Sequence, residues 1–165
     1  MKKTLTISLA ALLVNFCIAQ NKVALSVYQD AKLLLVGDSD HNYDAGTLDI
    51  LVRADLQSIQ QKYGFVSVAL EFEYAEIKNN YYRYSINAGY TFNRLIIKKL
   101  QAGASIGYGI IDRNQKAFTG FNGNAFLKYP LTKNLKFCLL SQVVDRKDIK
   151  KIRYSGFLGL EINLN

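Results

Sequence analysis

Most of the chain alternates between apolar and polar residues with a period of two, a pattern typical of β-strands with one apolar face. Over residues 48–56 every second residue is apolar, and the intervening positions include Asp49, Arg53 and Asp55. The alternation recurs in six later segments, 66–74, 82–92, 96–110, 117–129, 135–143 and 152–164. A less regular opening segment, 22–36, contains four consecutive apolar residues at its end. The pattern therefore predicts eight strands.

Short connections separate these segments, so each strand is expected to form a hairpin with the next. The predicted connections are 38–46, 58–62, 76–80, 93–94, 112–116, 130–134 and 146–151. The one proline, Pro130, falls in such a turn, where its missing N–H costs no ladder hydrogen bond. Eight hairpin-linked strands can close on themselves and leave no unpaired edge. We therefore expect an all-β, eight-stranded antiparallel up-and-down barrel.

The first nineteen residues have the tripartite pattern of an export signal. Lys2 and Lys3 precede an apolar run over 5–16, and cleavage is expected after Ala19. The run is shorter than the roughly 20 residues of a membrane-spanning helix. Lipid attachment at Cys17 is disfavoured by bulky Phe16, where such a site wants a small residue. The sequence thus predicts a signal peptide over 1–19 and one domain over 20–165, whose single Cys138 cannot form an internal disulfide.

Two kinds of barrel share the alternation: a transmembrane barrel with its apolar face outside, and a soluble lipocalin-like carrier with that face lining a cavity. Charge is nearly absent from the apolar positions of seven segments, where a basic residue at mid-bilayer would cost about 2–4 kcal/mol. Lys98 is the exception, near a predicted strand start. The polar positions are rich in glycine, which fits a crowded interior better than a solvent-facing strand. These features favour the membrane.

Aromatic residues support the same choice. The chain has 11 tyrosines and 9 phenylalanines. In an up-and-down barrel, one rim receives Tyr74, Tyr82, Tyr108 and Tyr154, and the other receives Tyr90, Phe92 and Tyr129. Two such rims match the aromatic girdles of a membrane barrel.

The polar face carries five charges of each sign. Because buried ions must be paired, and because eight strands leave room only for side chains, we expect internal ion pairs, a plugged lumen and no general diffusion pore. An ion or proton path is the competing hypothesis for these charges. The predicted network consists of Asp49, Arg53, Asp55, Glu71, Glu73, Arg83, Lys99, Lys128, Arg153 and Glu161.

The last seven residues, 159–165, begin with glycine and continue with alternating apolar positions. This end resembles the carboxy-terminal insertion signal of the small outer-membrane β-barrel proteins of Gram-negative bacteria, the OmpA/OmpX-like class, although it ends in Asn165 instead of an aromatic residue. The resemblance implies an outer-membrane location, with both termini in the periplasm. The connections 38–46, 76–80, 112–116 and 146–151 would then face outside.

Catalytic and metal-binding signals are weak. The only histidine, His41, lies in the polar segment 38–44 beside Ser39, a grouping similar to that of barrel acyltransferases, but their amphipathic amino-terminal helix pattern is absent. The same segment partly fits a calcium loop, with acidic or amide residues at alternate positions, but Tyr43 stands where an EF-hand needs glycine. We expect no catalytic residue, no metal site and no cofactor.

A formal net charge of +8 implies anionic partners. Basic residues scattered over loops and lumen do not form the aromatic-lined basic face that nucleic-acid binding needs. Outer-membrane lipid headgroups are the expected partner for the loop residues Lys78, Arg113, Lys116, Arg146, Lys147, Lys150 and Lys151. We therefore expect a monomeric, non-enzymatic barrel with a structural, adhesive or surface-interaction role, and a surface partner only through short loops. The alternative is a secreted or periplasmic carrier of a small apolar ligand.

Overall fold

A computed structural model describes residues 20–38, 42–58, 61–77, 80–93 and 99–164. The predicted signal peptide over 1–19, His41, Lys78 and Lys98 lie outside the described residues.

Eight antiparallel strands form a closed barrel in which each strand pairs with its neighbours along the chain, and β1 pairs with β8. The fold prediction is confirmed. The elements are β1 (Gln20–Asp30), α1 (Ala31–Leu35), β2 (Asp49–Ser58), β3 (Gly64–Ala75), β4 (Tyr81–Phe92), β5 (Gln101–Arg113), β6 (Lys116–Pro130), β7 (Leu135–Arg146) and β8 (Lys151–Asn163). Below, the end of the barrel at which β1 begins and β8 ends is the inner end, and the opposite end is the outer end.

The opening segment differs from the prediction because it is a strand followed by a short helix. β1 ends at Asp30, and the apolar run that breaks the alternation forms α1. Asp30 caps the helix, since its Oδ1 accepts a hydrogen bond of 2.9 Å from the Leu33 N–H. Helical geometry turns Leu33 into the protein and leaves Leu35 exposed. The alternation fails here because the backbone is no longer extended.

The fifth strand also begins later than predicted, at Gln101 and not at residue 96. Its pairing with β4 starts at Ala102, opposite Phe92, the last residue of β4. Lys99 and Leu100 precede the strand, and residues 94–98 lie outside the described part of the chain.

The apolar positions of the strands face outward and the polar positions face the enclosed interior. Ile106 is 77% exposed, whereas Arg53 is 1% exposed and Glu71 is 3% exposed. Among the outward positions of the described strands, only Asp112 and Asp145 are charged, and each lies near the outer end of its strand. The carrier hypothesis required the opposite placement, with the apolar face lining a cavity, and is therefore wrong.

Two interior glycines make room for aromatic rings on the neighbouring strand. Gly103 lies opposite Phe126 and Gly159 lies opposite Tyr28. A Cβ atom added to either glycine would lie 2.5 Å from a ring carbon of its partner. The rings thus cover the glycines across the sheet, which explains why glycine occupies strand positions where it normally weakens pairing.

Within the described part of the chain, no helix has the length and apolarity needed to cross a membrane.

Candidate functional site

Arg53 on β2 is the centre of a buried ionic network inside the barrel. Its Nε and Nη2 atoms each lie 2.9 Å from a different carboxylate oxygen of Asp55, so the contact is bidentate. Its Nη1 atom donates a 2.7 Å hydrogen bond to Glu71 Oε1 on the adjacent β3. One guanidinium therefore joins two carboxylates on two strands.

Arg83 on β4 extends the network in one direction. Its Nε atom donates to Glu73 Oε2 at 2.8 Å, and its Nη2 atom lies 3.3 Å from Glu71 Oε2. Ser85 Oγ accepts from Arg83 Nη1 at 3.0 Å and donates to Glu71 at 3.2 Å. The amide of Asn124 donates a further 2.8 Å hydrogen bond to Glu71 Oε1. Glu71 is thereby held by charged and neutral donors together.

Two lysines extend the network in the other direction. Lys128 on β6 forms an ion pair with Glu161 on β8, and its Nζ atom lies 3.8 Å from Asp55 Oδ2. Lys136 on β7 donates to the other oxygen of Glu161 at 2.8 Å. Ser26 Oγ also donates to Glu161, at 3.3 Å.

These contacts form one continuous series, which we call the interior charge chain. Its members alternate in sign and balance at four cations and four anions, in the order Lys136, Glu161, Lys128, Asp55, Arg53, Glu71, Arg83 and Glu73. Each is at most 8% exposed. Complete pairing offsets the large desolvation cost of placing eight charges in an enclosed space.

Seven of the ten residues of the predicted lumen network belong to this chain. Asp49 is buried at the outer end of the interior but makes none of these ion pairs. Lys99 is exposed and precedes β5, because that strand begins later than predicted. The Arg153 side chain is 43% exposed and lies 3.9 Å from Asp38. Sequence reasoning missed Lys136, although its place between two apolar neighbours of β7 already put it on the polar face.

Apolar residues fill much of the remaining interior. One cluster combines Tyr28, Leu51, Phe126, Cys138, Leu140 and Phe157, and the other combines Ala75, Tyr81, Ile111 and Val144. The Phe126 ring lies beneath two cations of the charge chain, with its centroid 5.4 Å from Arg53 Cζ and 4.8 Å from Lys128 Nζ. At the outer end of the interior is a cavity of about 30 Å³, whose lining includes Leu33, Asp49 and Tyr81.

Arg146 closes part of the outer end. The sequence predicted that this residue would face lipid headgroups, but its side chain is buried. It is 6% exposed, and its Cζ atom lies 4.0 Å from the centroid of the Tyr81 ring. Its Nε and Nη2 atoms donate to Asp148 at 2.8 and 2.6 Å. Partial burial raises the pKa of Asp148, but the hydrogen bond from Arg146 and the charges of Arg146 and Arg113 outweigh it, so the pKa lies below its ordinary value.

Three of the aromatic residues predicted for the outer rim, Tyr74, Tyr82 and Tyr154, lie near the outer ends of their strands, whereas Tyr108 lies near the middle of β5. Tyr74 and Tyr82 are cross-strand neighbours with ring centroids 5.2 Å apart. Tyr108 lies opposite Phe121, 5.0 Å away, and Tyr154 is 73% exposed.

At the inner rim, the rings of Tyr90 and Phe92 are 4.8 Å apart, and Tyr129 is exposed. Four further aromatic residues, which the alternation placed on the outward face without assigning them to a rim, are exposed there: Phe72, Tyr84, Phe121 and Phe137. The rings of Phe72 and Tyr84 form a pair with a centroid distance of 5.1 Å.

The outer connection between α1 and β2 offers little to a calcium ion in its described part. Asp38 Oδ1 lies 3.0 Å from Lys32 Nζ, and the backbone of Asp38 pairs with that of Tyr43. Among the described residues there is no group of three or more histidine, cysteine or acidic side chains placed to hold a metal.

No protein-family model matches the chain, and no curated protein sequence does either. Solved structures do. The chain is similar to the outer membrane protein Ail of Yersinia pestis in a phospholipid nanodisc, with a TM-score of 0.58, 12% identity, and coverage of 88% of this chain and 100% of that one. The chain has the fold of a small transmembrane β-barrel.

Two further solved β-barrels match the fold of this chain. The N-terminal β-barrel domain of Pseudomonas aeruginosa OprF matches with a TM-score of 0.56 and 15% identity, over 88% of this chain and 98% of that one. A de novo designed transmembrane β-barrel matches with a TM-score of 0.54 and 10% identity, over 88% and 97%. The similarity to a designed barrel shows that the likeness lies in strand number and closure, since designed and natural sequences share no descent.

Proposed function

We propose that this protein is an integral, non-enzymatic barrel of the outer membrane of a Gram-negative bacterium, with a structural, adhesive or surface-interaction role. The observation that carries the proposal is the inverted distribution of charge. Eight ionised side chains are paired inside, while the outward residues between the aromatic rims are uncharged in the described strands. A soluble protein normally exposes its charged side chains and buries its apolar ones.

The proposal includes a plugged lumen. The interior charge chain crosses the barrel, and the clusters around Phe126 and Tyr81 occupy space beside it. A cavity of about 30 Å³ holds about one water molecule, far less than a diffusion channel needs. The same packing disfavours the ion-path hypothesis, because every charge of the chain is already engaged by a counter-charge.

The proposal places the inner end in the periplasm and the outer end at the cell surface, after export directed by residues 1–19. Anionic lipid headgroups are the proposed partner of the outer basic residues. Lys116, Lys147, Lys150 and Lys151 support this assignment because all four are exposed at the outer end. Each lysine near an anionic surface contributes about 1 kcal/mol to such an attraction.

Fractionation tests the membrane assignment. The protein is expected to remain in the outer-membrane pellet after a carbonate wash, and to migrate differently on a gel before and after boiling, because a closed barrel resists detergent unfolding. Recovery in the soluble periplasmic fraction would contradict the assignment. Planar-bilayer recording tests the plugged lumen separately: the purified protein should give no steady conductance, and a stable open channel would contradict that part of the proposal alone.

A further inference from the structure

The barrel wall has a gap at the outer end, between β1 and β8. Pairing between these strands ends where Asp30 lies opposite Phe157. β8 continues outward to Lys151 and pairs there with β7 on one side. Among the described residues, no strand pairs with the other side of this outer part of β8.

Helix α1 occupies this gap. It follows β1 directly and contacts β8. Leu33, which is 4% exposed, helps to line the small outer cavity together with Arg153 and Ser155 of β8. On this side, α1 supplies an inward apolar side chain where a longer β1 would have supplied one.

The other side of α1 is exposed and largely apolar. Leu34, Leu35 and the following residue Val36 are 43%, 67% and 77% exposed. Lys32 is the one charged residue of α1; its side chain is 61% exposed, and its Nζ atom lies 3.0 Å from Asp38 Oδ1. A lysine at this position can lay its apolar stem along the surface while its ammonium group stays paired at the outer end. Exposure of three consecutive large apolar residues to water costs free energy, which favours an apolar environment for this side of α1.

Several backbone polar groups of α1 and of the residues that follow it are hydrogen-bonded within the protein, as an apolar environment requires. The N–H groups of Val36 and Gly37 both donate to Lys32 O at 2.9 Å. The Gly46 N–H donates to Leu33 O at 2.9 Å and to Leu34 O at 3.2 Å, and the Asp30 side chain accepts from the first turn. Satisfied backbone groups are the condition for placing a segment in lipid.

The uncovered side of α1 continues the apolar outer surface of the barrel. Three outward residues of β8 lie beyond the end of β1, and the two large ones, Ile152 and Tyr154, are 62% and 73% exposed. Ala31 lines a shallow outward groove together with Leu158 of β8 and Leu127 of β6. The outward surface therefore runs from the strands onto the helix without an intervening charged residue on β8.

We propose that α1 is a membrane-embedded part of the barrel wall, and that Leu34, Leu35 and Val36 contact the acyl chains of the outer leaflet. This inference rests on the proposed function and deepens it, because it assigns a lipid-binding role to a short helix where the sequence predicted the end of the first strand. The helix would also shield the unpaired outer part of β8, whose open edge lipid would not tolerate.

Site-directed spin labelling tests this inference. The protein, with Cys17→Ala and Cys138→Ala, receives a nitroxide at Leu35→Cys and is placed in nanodiscs of phosphatidylcholine and phosphatidylglycerol. Collision rates with oxygen, which dissolves in lipid, and with a nickel chelate, which stays in water, are then compared. The reference positions are Ile106→Cys on the outward face of β5 and Lys147→Cys in an outer turn.

We expect the oxygen-to-nickel ratio at Leu35 to resemble that at Ile106 and to exceed that at Lys147 several-fold. Val36→Cys gives a second reading if the Leu35 label disturbs the helix. If the ratios at Leu35 and Val36 both resemble that at Lys147 while Ile106 remains lipid-exposed, α1 does not contact lipid and the inference is wrong. The proposed membrane barrel would still stand. Protection from both reagents also overturns the inference, since a protein partner would then cover the helix. A water-exposed Ile106 would instead contradict the proposed function.

Discussion

Lys136 and Glu161 lie directly opposite each other in the register of β7 and β8, and the lysine Nζ atom donates to Glu161 Oε1 at 2.8 Å. The same carboxylate also pairs with Lys128, which reaches it from β6. Glu161 is completely buried. One side chain near the carboxyl terminus thus neutralises two cations from two other strands.

Glu161→Gln should therefore destabilise the barrel strongly. The substitution leaves two buried ammonium groups facing a neutral amide, and removal of one partner from a buried ion pair typically costs about 3–5 kcal/mol. Urea unfolding of the protein folded in lipid vesicles, followed by far-ultraviolet circular dichroism, measures the change. Glu76→Gln, at an exposed residue after β3, is the matched control and should change the free energy of unfolding little. Equal effects of the two variants would contradict the importance of the interior charge chain.

Ile106→Lys tests which medium the outward face meets. Ile106 is 77% exposed in the central part of β5, and a lysine at the bilayer midplane costs about 2–4 kcal/mol. Ala117→Lys, close to the outer end of β6, should cost about 0–1 kcal/mol because the residue lies near the interface. Unfolding in vesicles gives both values. If Ile106→Lys is as mild as Ala117→Lys, water and not lipid surrounds β5.

Gly103→Ala should be destabilising because the new methyl group would lie 2.5 Å from the Phe126 ring. Overpacking of this kind typically costs about 1–3 kcal/mol. Gly156→Ala is the matched control, since an added Cβ atom there meets nothing within 4 Å. The double variant Gly103→Ala with Phe126→Leu should recover part of the loss. Absence of any recovery would show that the glycine is required for another reason.

Asp148 should make the outer β7–β8 turn sensitive to acid. Its pKa is depressed in the folded protein, so the stability it contributes is complete above the ordinary carboxyl pKa of about 4 and is lost as the pH falls through the lower folded value. The thermal midpoint of the wild type should therefore approach that of Asp148→Asn between about pH 6 and about pH 3. A difference between the two proteins that stays constant over this range would contradict the ionic contact with Arg146.

The alternation predicted most of the strands well because a closed barrel repeats one rule along its length: alternate side chains face outward. The rule fails at Leu33, where a helix turns apolar residues to both sides, and at Lys99, where the strand begins later than the pattern suggests. The alternation also indicated which charged residues lie inside the barrel, because most of them occupy its polar positions. It did not predict the contact between Lys128 and Glu161, which are on strands that are not neighbours, because such contacts depend on how the sheet is staggered as it closes.

That contact bears on how the protein assembles. Lys128 reaches β8 and also approaches Asp55 on β2, so it spans the enclosed space between segments that no hairpin connects. In an open sheet Lys128 and Asp55 would lie four strands apart and remain hydrated. Their mutual attraction therefore develops only when β1 pairs with β8, so it stabilises the closed barrel over every open intermediate.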